Sequence, residues 1–158
     1  MTENARPDLF VFRLGAWRFA LPLERVNAAV RAAHAAQLPG APELVLGMLN
    51  VRGEVLPVVD LGRRFGLPPR PVAPEDFFVI ARSARRTLAL RVDAVDGPAR
   101  PGCEDASAPG HLPAVDGILG VAVLEDGLTV IFDLDACLSL DEEERLGEAL
   151  ARAGAQDG

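Results

Sequence analysis

Apolar residues in this chain fall into short runs, and turn residues punctuate them. Residues 9–14 (LFVFRL) and 17–23 (WRFALPL) flank Gly15-Ala16, which predicts a β-hairpin with a tight turn. Residues 25–33 (RVNAAVRAA) fit two patterns: the alanines suit a helix, while Val26, Ala28 and Val30 would share one face of a strand. Pro39 and Pro42 mark a loop. MLNV and EVLPVV, joined at Arg52-Gly53, form a second predicted hairpin. Pro57 has no amide donor, which predicts an edge strand or a bulge there. Asp60 stands at the N-cap of a short helix, LGRRF, closed by Gly66 and Pro68-Pro69.

The second half repeats this order. FFVIAR, a turn at residues 83–86 and TLALRVDAV predict a third hairpin. Laid over the first half, FALPLERV (19–26) falls on LALRVDAV (88–95), so that Ala20 meets Ala89 and Val26 meets Val95. GMLNV (47–51) falls on GILGV (117–121), and VVDL (58–61) on IFDL (131–134), with Asp133 capping a second short helix. The pattern divides the chain into two related β-modules, about 8–70 and 75–138, whose strands could be exchanged between them. A helix over about 141–153 follows, with Asp141 and Glu144 at capping-box spacing and Leu146 and Leu150 as an apolar i,i+4 pair. Residues 97–111 read as a long polar loop. Short strands with Gly and Pro turns predict a mainly β protein of small barrels.

Length and charge narrow the classes. A chain of 158 residues suits one domain, or two small subdomains sharing a core. The net charge of −7 argues against nucleic acid and against anionic membrane surfaces. All 16 basic residues are Arg, so Schiff-base lysine chemistry is excluded. The polar start of the chain, the lack of an apolar run of spanning length and two widely separated cysteines lead to an expected cytoplasmic location, without membrane insertion.

Catalytic signatures are missing from the sequence: no nucleophile elbow, zinc-protease helix, phosphate loop or dinucleotide fingerprint occurs. A Ser107, His111 and Asp116 triad, a zinc site from His34, His111, Cys103 and Cys137, and a cation site at Asp133 and Asp135 can each be assembled on paper. Loop composition and helix capping explain these residues more simply. Arg82, Arg85 and Arg86 fit a solvated turn, and Arg63 and Arg64 fit the end of a helix dipole. No catalytic residue, metal or cofactor is therefore assigned. Arg52 is harder to place. Within a strand it would share a face with Asn50, in a segment that is otherwise almost wholly apolar. Local chemistry leaves open a brace for backbone carbonyls and a docking contact.

The segment GMLNVRGEVLPVVDLGRRFG resembles the signature of CheW-like domains, in which a G-x-x-N-L-R-G hairpin leads into a P-V-V-D-L strand end. FVFRLGAWRFALPLERV is similar to that family's opening hairpin, ALRVDAVDGP to its V-D-x-V segment, and GILGVAVLEDGLTVIFDLDACL to its closing hairpin and helix. The resemblance covers about residues 8–140. It implies two SH3-like five-stranded β-barrels sharing a core, and a non-catalytic adaptor that couples the cytoplasmic tips of chemoreceptors to the regulatory domain of a CheA-type histidine kinase. It places Phe10, Leu23 and Val26 on the kinase-facing surface, and Gly47, Asn50, Arg52 and Val95 at or near a receptor-binding groove. Many relatives carry a Glu two residues after the position of Val26, where it can pair with the motif arginine; here Ala28 stands there. Arg52 is then left to find another partner, be braced by carbonyls, or meet a binding partner. Alternatives are a paralogue serving pili, surface sensing or second-messenger control, and a small β-barrel enzyme or anion binder using Arg52.

Overall fold

The computed structural model describes residues 8–68, 70–100, 118–124 and 127–157. Ten strands form two five-stranded sheets: β1 (Leu9–Leu14), β2 (Trp17–Pro22), β3 (Val26–Arg31), β4 (Val45–Val51), β5 (Glu54–Asp60), β6 (Phe77–Arg82), β7 (Thr87–Val92), β8 (Ala94–Ala99), β9 (Ile118–Leu124) and β10 (Gly127–Phe132). Helix α1 is one turn, Leu61–Arg64, and α2 spans Leu140–Asp157. Strand order is β8-β1-β2-β10-β9 in the first sheet and β3-β6-β7-β5-β4 in the second.

Residues 26–31, open between helix and strand, are a strand that pairs along β6. The run predicted over 87–95 is broken at Asp93, and the start of the expected 97–111 loop belongs to β8, paired with β1. The remainder of that loop, with Cys103, Ser107, His111 and Asp116, lies outside the described residues.

The sheets do not follow the division at residues 70–75. The first combines β1 and β2 with β8, β9 and β10; the second combines β3, β4 and β5 with β6 and β7. Each sheet thus takes two strands from one half of the chain and three from the other. The junctions are parallel and equivalent. Ala20 pairs with Ile131 in one sheet, and Ala89 pairs with Val58 in the other. These are the positions that the internal repeat superimposes.

This exchange explains why the strands are apolar on both faces. Leu9, Val11 and Ala20 form a small cluster belonging to the first sheet, and Leu56, Val58, Phe78, Ile80 and Ala89 one belonging to the second. The alternate residues on the same strands, among them Phe12, Leu14, Phe19, Val59, Val79, Leu88 and Leu90, merge with Leu146 of α2 into one shared core. Strands buried on both sides read as continuous apolar runs. Phe19 stacks on Phe65 at 4.6 Å between ring centroids, and Phe132 meets both edge-on.

Three local expectations need correction. β5 is an interior strand, flanked by β4 and β7, yet its pairing with β7 begins only at Val58, one residue beyond Pro57. The irregularity lies on β4, between Val45 and Gly47. The side chain of Asp60 does not cap α1; it accepts from Arg91. The capping box of α2 is Ser139 and Glu142: Ser139 Oγ accepts from the Glu142 amide at 3.1 Å, and Glu142 Oε1 from the Ser139 amide at 2.8 Å. Asp133 does cap its short 3-10 turn, accepting from the Asp135 amide.

Candidate functional site

The motif hairpin is built by β4 and β5. Val51 and Glu54 form its last cross-strand pair, leaving Arg52 and Gly53 as a two-residue turn. Both have positive φ, 54° and 86°, as a type I′ turn requires. Gly53 is there for that backbone alone, because a Cβ would meet nothing within 4 Å. Arg52 is the only non-glycine with positive φ among the described residues. An L-residue in this region costs roughly 1–2 kcal/mol. Being in the turn, Arg52 does not obey the strand alternation that would have set it beside Asn50. Asn50 instead turns its side chain inward on the hairpin, and its Oδ1 accepts from the Gly53 amide at 2.9 Å. Arg52 is exposed and, among the described residues, makes no side-chain hydrogen bond or ion pair. Among the described residues no backbone carbonyl braces it. Ala28 is exposed on β3, opposite Ile80.

The remaining candidates divide by burial. Gly47 is buried, and a Cβ would sit 2.4 Å from the Ala36 carbonyl oxygen. Its bare backbone admits the segment after β3, which bonds to β4 through Ala36 and Met48 and brings the two edges of the second sheet together. Gly47 thus shapes the hairpin's base without offering surface. Asn50 also lines a groove of about 310 Å³ with Met48, Leu49 and Val55 on the hairpin, Ala36, and Leu150 and Ala153 of α2. Val95 is half-buried on β8, opposite Phe12, and packs on the shared core. Phe10 is 8 % exposed and belongs to that core, so it can shape a surface only from beneath. Leu23 and Val26 are half-buried, with Val26 opposite Ala81. Beside them Arg25 donates to the Arg82 carbonyl at 3.2 Å and pairs with Asp135 at 3.3 Å.

The three arginines at and beside the 83–86 turn have separate environments, with Arg82 ending β6 and Arg85 and Arg86 in the turn. Arg86 pairs with the buried Glu143 of α2 at 3.0 Å, Arg82 donates to Thr87, and Arg85 is exposed. Arg64 likewise ties α1 to α2, donating to the Cys137 carbonyl at 2.8 Å and pairing with Glu142. Arg63 pairs with Glu43. Cys137 is buried and its thiol is pushed up to about 12 by desolvation, against the opposing charge of Arg64, so it is inert as a nucleophile. His34 is exposed, and no group of three metal-ligating side chains occurs among the described residues. Among the same residues, no helix is long and apolar enough to cross a membrane.

A buried ion network escaped the sequence reading. Arg91 and Asp60, each 3 % exposed, pair at 2.9 Å. Arg91 also donates to the Arg70 carbonyl and lies 3.8 Å from Asp76. Arg70 pairs with Asp76 at 2.7 Å and with Asp93, whose second oxygen accepts from the Gly15 amide at 2.7 Å. The cluster pins the turn of the first hairpin to the connection before β6, and so one sheet to the other. Its only trace in the sequence is a charge inside two apolar runs, VVD and LALRV. Burial alone would raise the Asp76 carboxyl, but hydrogen bonds from Arg70 and the Ala73 amide and the charges of Arg70 and Arg91 outweigh it, leaving the group below its ordinary 3.8. A depressed folded pKa contributes stability that is present above the unfolded value and lost as pH falls through the folded one. Denaturation midpoints should therefore hold from neutrality to about pH 4 and then fall, and Asp76→Asn should flatten that acid limb. An acid limb unchanged in the variant would place the titrating group elsewhere.

Comparison with known proteins agrees with this architecture. The CheW-like domain family matches residues 8–142. The chain is 33 % identical to a probable chemotaxis protein CheW of Rhizobium etli over 56 % of this chain, a match that spans 57 % of that protein. It is 31 % identical to protein FrzA of Myxococcus xanthus over 77 % of this chain and 78 % of that protein. Its fold is similar to the crystal structure of scaffolding protein TtCheW from Thermoanaerobacter tengcongensis, with a TM-score of 0.76 and 25 % identity over 86 % of this chain and 94 % of that one. With the motif hairpin, the two exchanged sheets and this family match in agreement, the chain belongs to the CheW-like domain family.

Proposed function

We propose that this protein is a non-catalytic adaptor that couples chemoreceptors to a CheA-type histidine kinase in a cytoplasmic signalling array. The observation that carries the reading is the state of Arg52. The fold holds this residue at an unfavourable φ and gives its guanidinium no intramolecular use among the described residues. Asn or Gly would meet the backbone requirement of this turn at less cost, so an arginine kept there without an internal partner among the described residues points to a contact made elsewhere. On this reading Arg52 and Val95 face the receptor tip, and Gly47 and Asn50 support the hairpin. Leu23 and Val26, backed by Phe10, face the regulatory domain of the kinase.

A charge-assisted hydrogen bond is worth about 1.5–3 kcal/mol, so Arg52→Ala should weaken binding to a soluble receptor cytoplasmic fragment about tenfold or more. Kinase binding and the melting temperature should change little. Unchanged receptor affinity together with a sharp drop in melting temperature would make Arg52 a structural brace instead. The FrzA similarity is consistent with one second reading: the same adaptor role in a pathway other than flagellar chemotaxis. Deleting the gene would tell the two apart: loss of swimming chemotaxis supports the first reading, and intact swimming chemotaxis with another motility or surface response lost supports the second.

A further inference from the structure

We propose that Asn50 is a positioning residue whose side chain locks the turn that holds Arg52 out for its partner, and not itself a contact. The inference rests on the proposed role of Arg52. The hairpin ends at the Val51–Glu54 pair, so the Gly53 amide lies beyond the strand ladder. Asn50 Oδ1 supplies its acceptor at 2.9 Å. A Cβ on Gly53 would meet nothing within 4 Å, so no packing clamps the turn from outside, and Arg52 at 54° would relax to negative φ if the turn opened. No other side chain holds the turn among the described residues. The two-residue loop between Val51 and Glu54 calls for the left-handed turn, and Asn50, three residues back on β4, adds the side-chain bond that stiffens it around Arg52; preorganisation of this kind lowers the cost of ordering a contact on binding. The Asn50 amide nitrogen is not engaged in that bond and the residue is exposed, so direct contact is the competing role.

A double-mutant cycle separates them. Wild type, Asn50→Ala, Arg52→Ala and the double variant are titrated calorimetrically with a soluble cytoplasmic fragment of a chemoreceptor, and amide exchange is followed at Gly53. A positioning role predicts that Asn50→Ala alone weakens binding about fivefold, costs nothing further once Arg52 is Ala, and speeds exchange at Gly53. The same loss in both backgrounds would mean that Asn50 touches the partner. Unchanged affinity in Asn50→Ala despite faster Gly53 exchange would mean that the lock is irrelevant to binding; either result overturns the proposal. If Arg52→Ala binds as tightly as wild type, the reading of Arg52 as a contact fails, and the positioning role fails with it.

Discussion

Asp60→Ala should cost about 3–5 kcal/mol of folding stability, the largest loss expected from any single polar truncation in this protein. The carboxylate is buried at the end of β5 and meets Arg91 at 2.9 Å, while Arg91 Nε already lacks a hydrogen-bond partner among the described residues. Removing Asp60 leaves the buried guanidinium with carbonyl contacts from Arg70 and Pro71 and a carboxylate 3.8 Å away on Asp76. Those contacts do not replace a direct ion pair for a guanidinium that is 3 % exposed. The same reasoning predicts that Asp60→Leu with Arg91→Met recovers most of the loss, because an apolar pair of similar volume escapes the desolvation penalty of two charges. Urea denaturation at neutral pH measures both variants. A loss below about 1 kcal/mol in Asp60→Ala would mean that water reaches Arg91 when its partner is gone.

Val26→Asp should abolish binding to the kinase regulatory domain, weakening it at least about a hundredfold, while the receptor side is spared. Val26 opens β3 opposite Ala81 and packs partly against the shared core, with one flank exposed beside Leu23 and Arg25. A carboxylate pressed into an apolar contact loses its hydration without a partner, which costs several kcal/mol. Calorimetric titration against the isolated regulatory domain reads the affinity, and circular dichroism reads the fold. Full affinity in a folded variant removes Val26 from the interface. A variant that unfolds assigns Val26 to the core, and Leu23→Asp then provides the independent probe of the same surface.

Much of the local structure was legible in the sequence. The three described hairpins follow from short apolar runs bounded by Gly or polar turns, and pairs such as Val51 with Glu54 fall where turn length sets the register. The caps were less legible. Asp60 has the right residue type and place for an N-cap, but a buried arginine 31 residues away competes for its oxygen and wins. Asp141 and Glu144 have the right spacing, as do Ser139 and Glu142; the second pair prevails, and Arg64 also holds Glu142.

By itself the sequence determined the strand runs, the turns between them and the motif hairpin, because each depends on residues within a few positions of one another, and the internal repeat, because it is one local pattern written twice. Only the tertiary structure decided which strands share a sheet. The two halves carry the same alternation, so β3 could in local terms pair within either half; its place beside β6 follows from burying both faces of the central strands at once. Tertiary structure also decided what the charges do. Arg91 and Arg52 are both arginines in apolar surroundings in the sequence, yet one is buried against Asp60 and the other is held in solvent at positive φ. Sequence spacing cannot tell them apart, because the partner of a buried charge comes from distant chain, and the lack of a partner is visible only once the chain has folded.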